Sequence, residues 1–306
     1  GKTAFTIGNL NTLSTQPSHH EFWDGQVAEL LVFNALLSEA QQIVVENYLS
    51  ARYNIALPAA RKKYTMDDAA NGHFDHDVVG IGMAADNSAV FGSRGMGTLQ
   101  IQNPSDVQTN EWFFWGHNNA AVSSVGVNDV PAEIVSRLNR VWRTSETGDV
   151  GNVDIVMSLD SIPGPVQAEN LRLLVDTDGD GLFSDEQSVS GGIAAIGQKL
   201  NDNTVIFRQV NLSNGQRFTI GSASFATPLR PAYVFTGNGN FSNVASWKNG
   251  IPPAAAMPDF TEIVIDPSNN LPCVLDIPFT LKAGMKLVVA PGKKLQLTAV
   301  TRETEQ

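Results

Sequence analysis

Apolar and polar positions along this chain alternate with a period of two far more often than they recur at helical spacing. Val153, Ile155, Met157 and Leu159 are interleaved with polar Asp154 and Ser158, the pattern of a strand with one buried face. Short apolar runs bounded by turn residues predict further strands at Val78–Met83, Thr98–Gln102, Glu111–Trp115, Leu138–Thr144 and Leu171–Val175. Val205–Leu212, the dipeptide Asn214-Gly215 and Gln216–Ile220 read as a hairpin, because Asn-Gly tolerates the positive φ angles of a type I′ turn. Val27–Phe33, after Asp24-Gly25, is apolar and β-prone. Near the other end Tyr233–Phe235, Glu262–Ile265, Cys273–Leu275 and Lys286–Val289 have the same character. Leu287–Leu297 reads as two short strands around Pro291-Gly292.

Helical spacing occurs once. Ala40, Ile43, Val44, Tyr48 and Leu49 lie on one face of a segment from Glu39 to about Arg52, with Ser38 and Gln41 placed as a capping box. The chain is therefore expected to be all-β, built of β-sandwich modules with one helix (39–52). Turn-rich and polar stretches predict four parts: 1–57 with two strands and the helix, a linker at 58–73, a β-sandwich at 74–227, and a small β-module at 228–306.

At 306 residues with 42% hydrophobic content, there is ample material for packed cores. The net charge of −11 argues against nucleic acid, which requires a basic surface, and gives no attraction to anionic membranes. No apolar run approaches the roughly 18 residues of a membrane span. A single cysteine, Cys273, excludes an internal disulfide and reads as a buried strand thiol. No signal peptide is evident and Gly1 begins in strand-like sequence, so the chain is expected to be a mature fragment or one section of a longer polypeptide.

The most specific chemical pattern is Asp176-Thr177-Asp178-Gly179-Asp180-Gly181. Alternate carboxylates on a tightly turning backbone bring hard oxygen ligands together, as in the first half of an EF-hand-type calcium loop. The Leu182 carbonyl is expected to follow, with Asp185 or Glu186 closing the shell, since position 12 is Gln187. A strand, Leu171–Val175, precedes the loop instead of a helix. The expected role of the calcium ion is structural.

Other chemistry is weaker. His73-Phe74-Asp75-His76-Asp77 follows Asn71-Gly72 and reads as a polar loop in preference to a zinc site, as do His19-His20. There is no Gly-x-Ser-x-Gly elbow. Gly192–Gly197 with Gln198-Lys199 has Gln198 where a phosphate loop's second glycine directly precedes the lysine, and no Ser or Thr follows. Trp112, Phe113, Phe114 and Trp115 cannot all face one side of a strand. Either both faces of that strand are covered, or one pair is free to stack on a sugar, and Trp112, Trp115 and Trp23 are the candidate ligand platforms.

Residues 22–57, with Phe22-Trp23-Asp24-Gly25-Gln26-Val27-Ala28-Glu29-Leu30-Leu31-Val32-Phe33-Asn34, Leu37-Ser38 and Tyr48–Ile55, resemble the end of a laminin-G-like, concanavalin-type jelly roll. That succession is similar to large surface proteins of gliding Gram-negative bacteria exported by the type IX route. Val79-Gly80-Ile81-Gly82, Phe114–Asn118, Arg140–Arg143, the aspartate loop and Phe218–Ser222 resemble a β-domain that follows the lectin-like one. Trp247–Pro253 is similar to a further module of such proteins. The resemblance implies a partial jelly roll closed by the helix, and an extracellular, cell-surface location. The acid pair of concanavalin-type glycosidases is missing, since the comparable strand carries only Glu29. A non-catalytic structural or adhesive section, rigidified by calcium, is expected. A carbohydrate-binding module using exposed tryptophans is the alternative and a hydrolase the third reading. Expected partners are neighbouring domains of a longer chain, like subunits in a filament, or surface glycans. A sheet represented only by its last strands leaves an edge, which upstream sequence or a strand donated by a neighbouring subunit would cover; Lys286–Leu297 is the candidate donor.

Overall fold

The computed structural model describes residues 25–95, 98–160, 162, 166–224, 229, 232–250, 252–253, 261–269, 271–282 and 285–298. Trp23, His19 and His20 lie outside the described residues. The chain divides into two compact units, Gly1–Leu37 and Ser38–Gln306.

In the first unit, residues 25–37 form no strand.

The second unit opens with helix α1 (Glu39–Tyr53). Its capping box is formed: Ser38 Oγ accepts from Gln41 N at 3.3 Å and Gln41 Oε1 accepts from Ser38 N at 3.0 Å. Fourteen strands follow in chain order among the described residues. These are β1 (His76–Met83), β2 (Ala89–Val90), β3 (Gly92–Arg94), β4 (Leu99–Gln102) and β5 (Trp112–His117). Next come β6 (Val125–Gly126), β7 (Ser136–Leu138), β8 (Trp142–Thr147), β9 (Val153–Ser158) and β10 (Leu171–Asp176). The sandwich is completed by β11 (Ile193–Ile196), β12 (Gln198–Asn201), β13 (Thr204–Val210) and β14 (Arg217–Ser222). All pair antiparallel, in a nine-stranded sheet ordered β11-β10-β14-β8-β5-β1-β2, with β6 and β7 attached through β14, and a five-stranded sheet ordered β12-β13-β9-β4-β3. The fold is all-β with a single α-helix among the described residues.

The inner faces of the two sheets meet in one core. Val79, Ile81, Phe113, Trp115, Leu173 and Ile220 come from one side; Leu99, Ile101, Ile155, Met157, Val205 and Phe207 come from the other. The outer face of the larger sheet is buried as well. There Val78, Trp112, Phe114 and Leu174 pack with Ala40, Ile43 and Ala51 of α1, and with Tyr64, Met66 and Phe74. Gly80 lies opposite Phe114 in the ladder, and a Cβ on it would come within 2.6 Å of that ring. The glycine leaves room for an aromatic layer beneath the helix.

These contacts correct three expectations. The helix packs on the outer face of the larger sheet, and the division between compact units falls at Leu37/Ser38 where 57 was expected. Residues 58–73 are packed in place: buried Asn47 accepts from Lys63 N at 2.8 Å and Tyr64 N at 2.9 Å, and Arg61 makes a two-pronged pair with Glu46 at 2.7 and 2.8 Å. Finally, β13 and β14 are not a hairpin. β13 pairs with β9 and β12, and β14 with β10, β7 and β8, so Asn214-Gly215 carries the chain from one sheet to the other.

The C-terminal region has its own core and a different architecture. β15 (Ala232–Phe235), β17 (Glu262–Ile265) and β19 (Lys286–Val289) form one parallel sheet. β16 (Gly239–Asn240), β18 (Cys273–Leu275) and β20 (Leu295–Leu297) form another. The chain visits the sheets alternately, so each successive strand pair is one rung of a short parallel solenoid. Pro291-Gly292 is a corner within the third rung, and Lys286–Leu297 is built into the stack, not free to be donated.

Candidate metal centre

The aspartate loop begins where β10 ends. Asp176 is the last residue of that strand, and the β10–β14 register places it opposite Arg217. Asp176 is buried; its Oδ1 accepts from Gly179 N at 2.7 Å and its Oδ2 from Gly181 N at 2.9 Å. Those bonds wind the backbone back over the strand end, with Gly179 and Gly181 at φ of 82° and 92°, a region that favours glycine. Asp178 Oδ1 accepts from Asp180 N at 3.2 Å and Asp180 Oδ1 from Leu182 N at 2.7 Å. One carboxylate oxygen each of Asp176, Asp178 and Asp180 lies within 4.8 Å of the others.

The expected closing ligands are placed elsewhere. Glu186 is buried, and its carboxylate accepts from the Thr177 N–H and, at 2.7 Å, from the Thr177 hydroxyl, pinning the neck of the loop. Asp185 is exposed and outside the cluster. Leu182 is half-exposed on the loop's outer turn.

Two residues that sequence reasoning missed complete the site. Arg217 Nη1 donates to Asp176 Oδ2 at 2.9 Å and to the Gly179 carbonyl at 3.0 Å. One guanidinium against three carboxylates leaves the cluster negative. Asp129 holds the downstream arm, its Oδ1 accepting from Phe183 N at 2.7 Å and Ser184 N at 2.9 Å. Arg137 pairs with Asp129 Oδ2 and lies 4.9 Å over the Phe183 ring. Burial alone would raise the Asp129 pKa, but the Phe183 N–H, Arg137 and the Ser184 N–H together hold it below the usual carboxylate value. Neither residue carries a local signal. They reach the loop only through sheet register and an intervening turn.

Chemically the donor set is three carboxylates with no nitrogen or sulfur, which suits a hard, oxygen-seeking ion such as calcium. The other candidates are not brought together. Trp112 and Trp115 are fully buried, facing α1 and the inter-sheet core respectively, so neither is a sugar platform. His73 sits in a turn before β1, and no histidine joins a metal-type cluster among the described residues. A buried His117–Asp77 pair does occur. His117 Nδ1 accepts from Asn119 N at 3.0 Å, so Nε2 carries the hydrogen and donates to Asp77 Oδ2 at 2.9 Å. With both ring nitrogens engaged, this imidazole has none left to act as a base.

Residues 41–216 match the family model described as a domain of unknown function, DUF8202. The chain belongs to the DUF8202 family. No curated protein and no solved structure matches it. The DUF8202 match starts within α1 and runs to the residue before β14, so it takes the helix, most of the sandwich and the whole aspartate loop together. No helix among the described residues is long and apolar enough to cross a membrane.

Proposed function

We propose that this chain is a non-catalytic structural or adhesive section of an extracellular bacterial surface protein, with a calcium ion stiffening its sandwich at Asp176, Asp178 and Asp180. The observation that carries the reading is the convergence of three carboxylates at the end of β10, on a loop whose neck and downstream arm are already tied down. Glu186 and Asp129 do that tying, which leaves the three aspartates as the ligands and the Leu182 carbonyl and water to complete the shell. An ion there would join β10 to the backbone of the following loop, a mechanical task and not a chemical one. Ions that bind only the folded state add stability by mass action, about 2.7 kcal/mol at a hundredfold excess over Kd. Thermal melts in calcium and in chelator test the proposal. The melting temperature should fall in chelator, and Asp178→Ala should abolish most of that response. A glycan-binding role through Trp112 or Trp115 has no support from their buried positions.

A further inference from the structure

The buried ring of His117 is held at both nitrogens, and each of its two partners has left-handed backbone. His117 ends β5 and lies opposite His76 in the β1–β5 ladder, where a register shift sets Asp77 and Val78 together against Gly116. Asp77 takes a φ of 49° and its carboxylate accepts from His117 Nε2 at 2.9 Å. On the other side the chain leaves β5, and Asn119, at a φ of 60°, donates its N–H to Nδ1 at 3.0 Å. Residues other than glycine hold such angles only where the contacts around them fix the backbone. For Asn119, the bond to Nδ1 is such a contact.

The connection from β5 to β6 has little else to fix it. Asn118, Asn119, Ala121 and Ser123 are exposed, and Val122 is the one buried residue between 118 and 124. Asn118 Oδ1 accepts from Ala120 N and Val141 N, both at 3.2 Å, and Arg140 Nε donates to the Ala120 carbonyl at 2.7 Å. A segment with so few buried apolar groups opens more readily than the strands it joins. The charged groups facing the ring among the described residues are Asp77 and His76 from β1 and Arg140 from ahead of β8, with Asp75 pairing His76 at 2.7 Å. The neutral Trp142 packs edge-on at 6.4 Å. Burial keeps the ring neutral, Asp77 pulls toward the charged form, and Arg140 and His76 side with burial.

A neutral imidazole accepts a hydrogen bond at Nδ1, whereas an imidazolium carries hydrogen on both nitrogens and accepts none. Uptake of a proton at Nδ1 therefore requires the Asn119 N–H to leave, while Nε2 keeps its bond to Asp77. We propose that His117 is a proton-operated latch: in mild acid it takes a proton from solvent at Nδ1, drops the Asn119 N–H and frees the 118–124 connection while both sheets stay folded. Release also takes the Ala120 carbonyl away from Arg140 and uncovers Val122. No residue of the aspartate loop takes part, so the latch and the calcium reading stand or fall separately.

Native-state hydrogen exchange of the 306-residue protein, expressed at each pH as protection relative to the unfolded chain, tests it. The opened connection leaves His117 an ordinary histidine, so protection of the Asn119 amide should fall about tenfold for each pH unit below about 6.5, until the folded ring itself titrates. The β5 and β8 amides should stay better protected than Asn119 across that range. His117→Gln can still donate to Asp77 but takes up no proton, and its Asn119 protection should be independent of pH. Native protection that does not change with pH overturns the proposal, as does a slope that survives in His117→Gln or a loss at Asn119 that comes only together with β5 and β8. If His117→Gln does not fold, Asp77→Asn takes its place. Without that anion the folded ring titrates at lower pH, so the slope should run further into acid, and an unchanged end point overturns the latch.

Discussion

Replacing Asp129 with alanine should loosen the aspartate loop without touching any of its three candidate ligands. The carboxylate accepts from the Phe183 and Ser184 N–H groups at 2.7 and 2.9 Å and pairs with Arg137. Hydrogen bonds to a charged acceptor contribute about 1.5–3 kcal/mol each, but the Asp129 side chain is one-quarter exposed and partly screened. A local cost of about 2 kcal/mol follows, at the lower end of that range. Since about 1.4 kcal/mol is a factor of ten, native-state exchange of the Phe183 and Ser184 amides should accelerate roughly 30-fold. Asp129→Asn keeps an acceptor oxygen while losing the charge facing Arg137, and should lie between the two. Hydrogen-exchange mass spectrometry on the 182–187 peptide reads this directly, because local opening is measured apart from global unfolding. Exchange in Asp129→Ala equal to that of the native protein would refute the view that Asp129 anchors the arm.

Three further outcomes follow from packing and burial. Gly80→Ala places a Cβ 2.6 Å from the Phe114 ring and should cost about 1–3 kcal/mol by overpacking, read as a lower urea midpoint. His117 is held neutral: burial pushes its pKa below the ordinary histidine value, opposed by the Asp77 hydrogen bond. The unfolded chain then binds the proton more readily, so this contribution to stability is present above about pH 6.5 and drains away as pH falls toward the folded-state value. His117→Gln should flatten that part of the urea-midpoint profile, and a slope that survives the substitution would show the assignment to be wrong. Burial, with Asp276 adding, pushes the Cys273 thiol up to about 12, so it should resist a thiol reagent at pH 8 until the protein is unfolded; fast labelling of the native protein would contradict the buried placement.

Local signals in the sequence predicted local structure well. Ser38 and Gln41 mark the helix start because a capping box is a four-residue event, and the alternation from Val153 marks β9 because a strand's burial is set by its own side chains. Partners at long range were another matter. Nothing in residues 39–53 says that α1 will cover the Trp112 and Phe114 face of the larger sheet, and the jelly-roll resemblance pointed it elsewhere. Asn214-Gly215 is equally suited to a hairpin and to the crossover it makes. Pro291-Gly292 serves a solenoid corner as readily as a turn between paired strands, because the pairing with 232–235 and 262–265 is what distinguishes them. The site divides the same way. The aspartates announce themselves within six residues, while Arg217 reaches Asp176 only through the β10–β14 register and Asp129 only through a turn far upstream.

The most direct test of the account is calorimetric titration of calcium into the chelator-stripped protein, alongside Asp178→Ala. The account predicts one ion bound by the native protein, loss of that binding in the variant, and a melting temperature that rises with calcium in the first and not in the second. No binding heat in the native protein together with identical melts in calcium and chelator would contradict it, and would leave Arg217 as the only cation this loop holds.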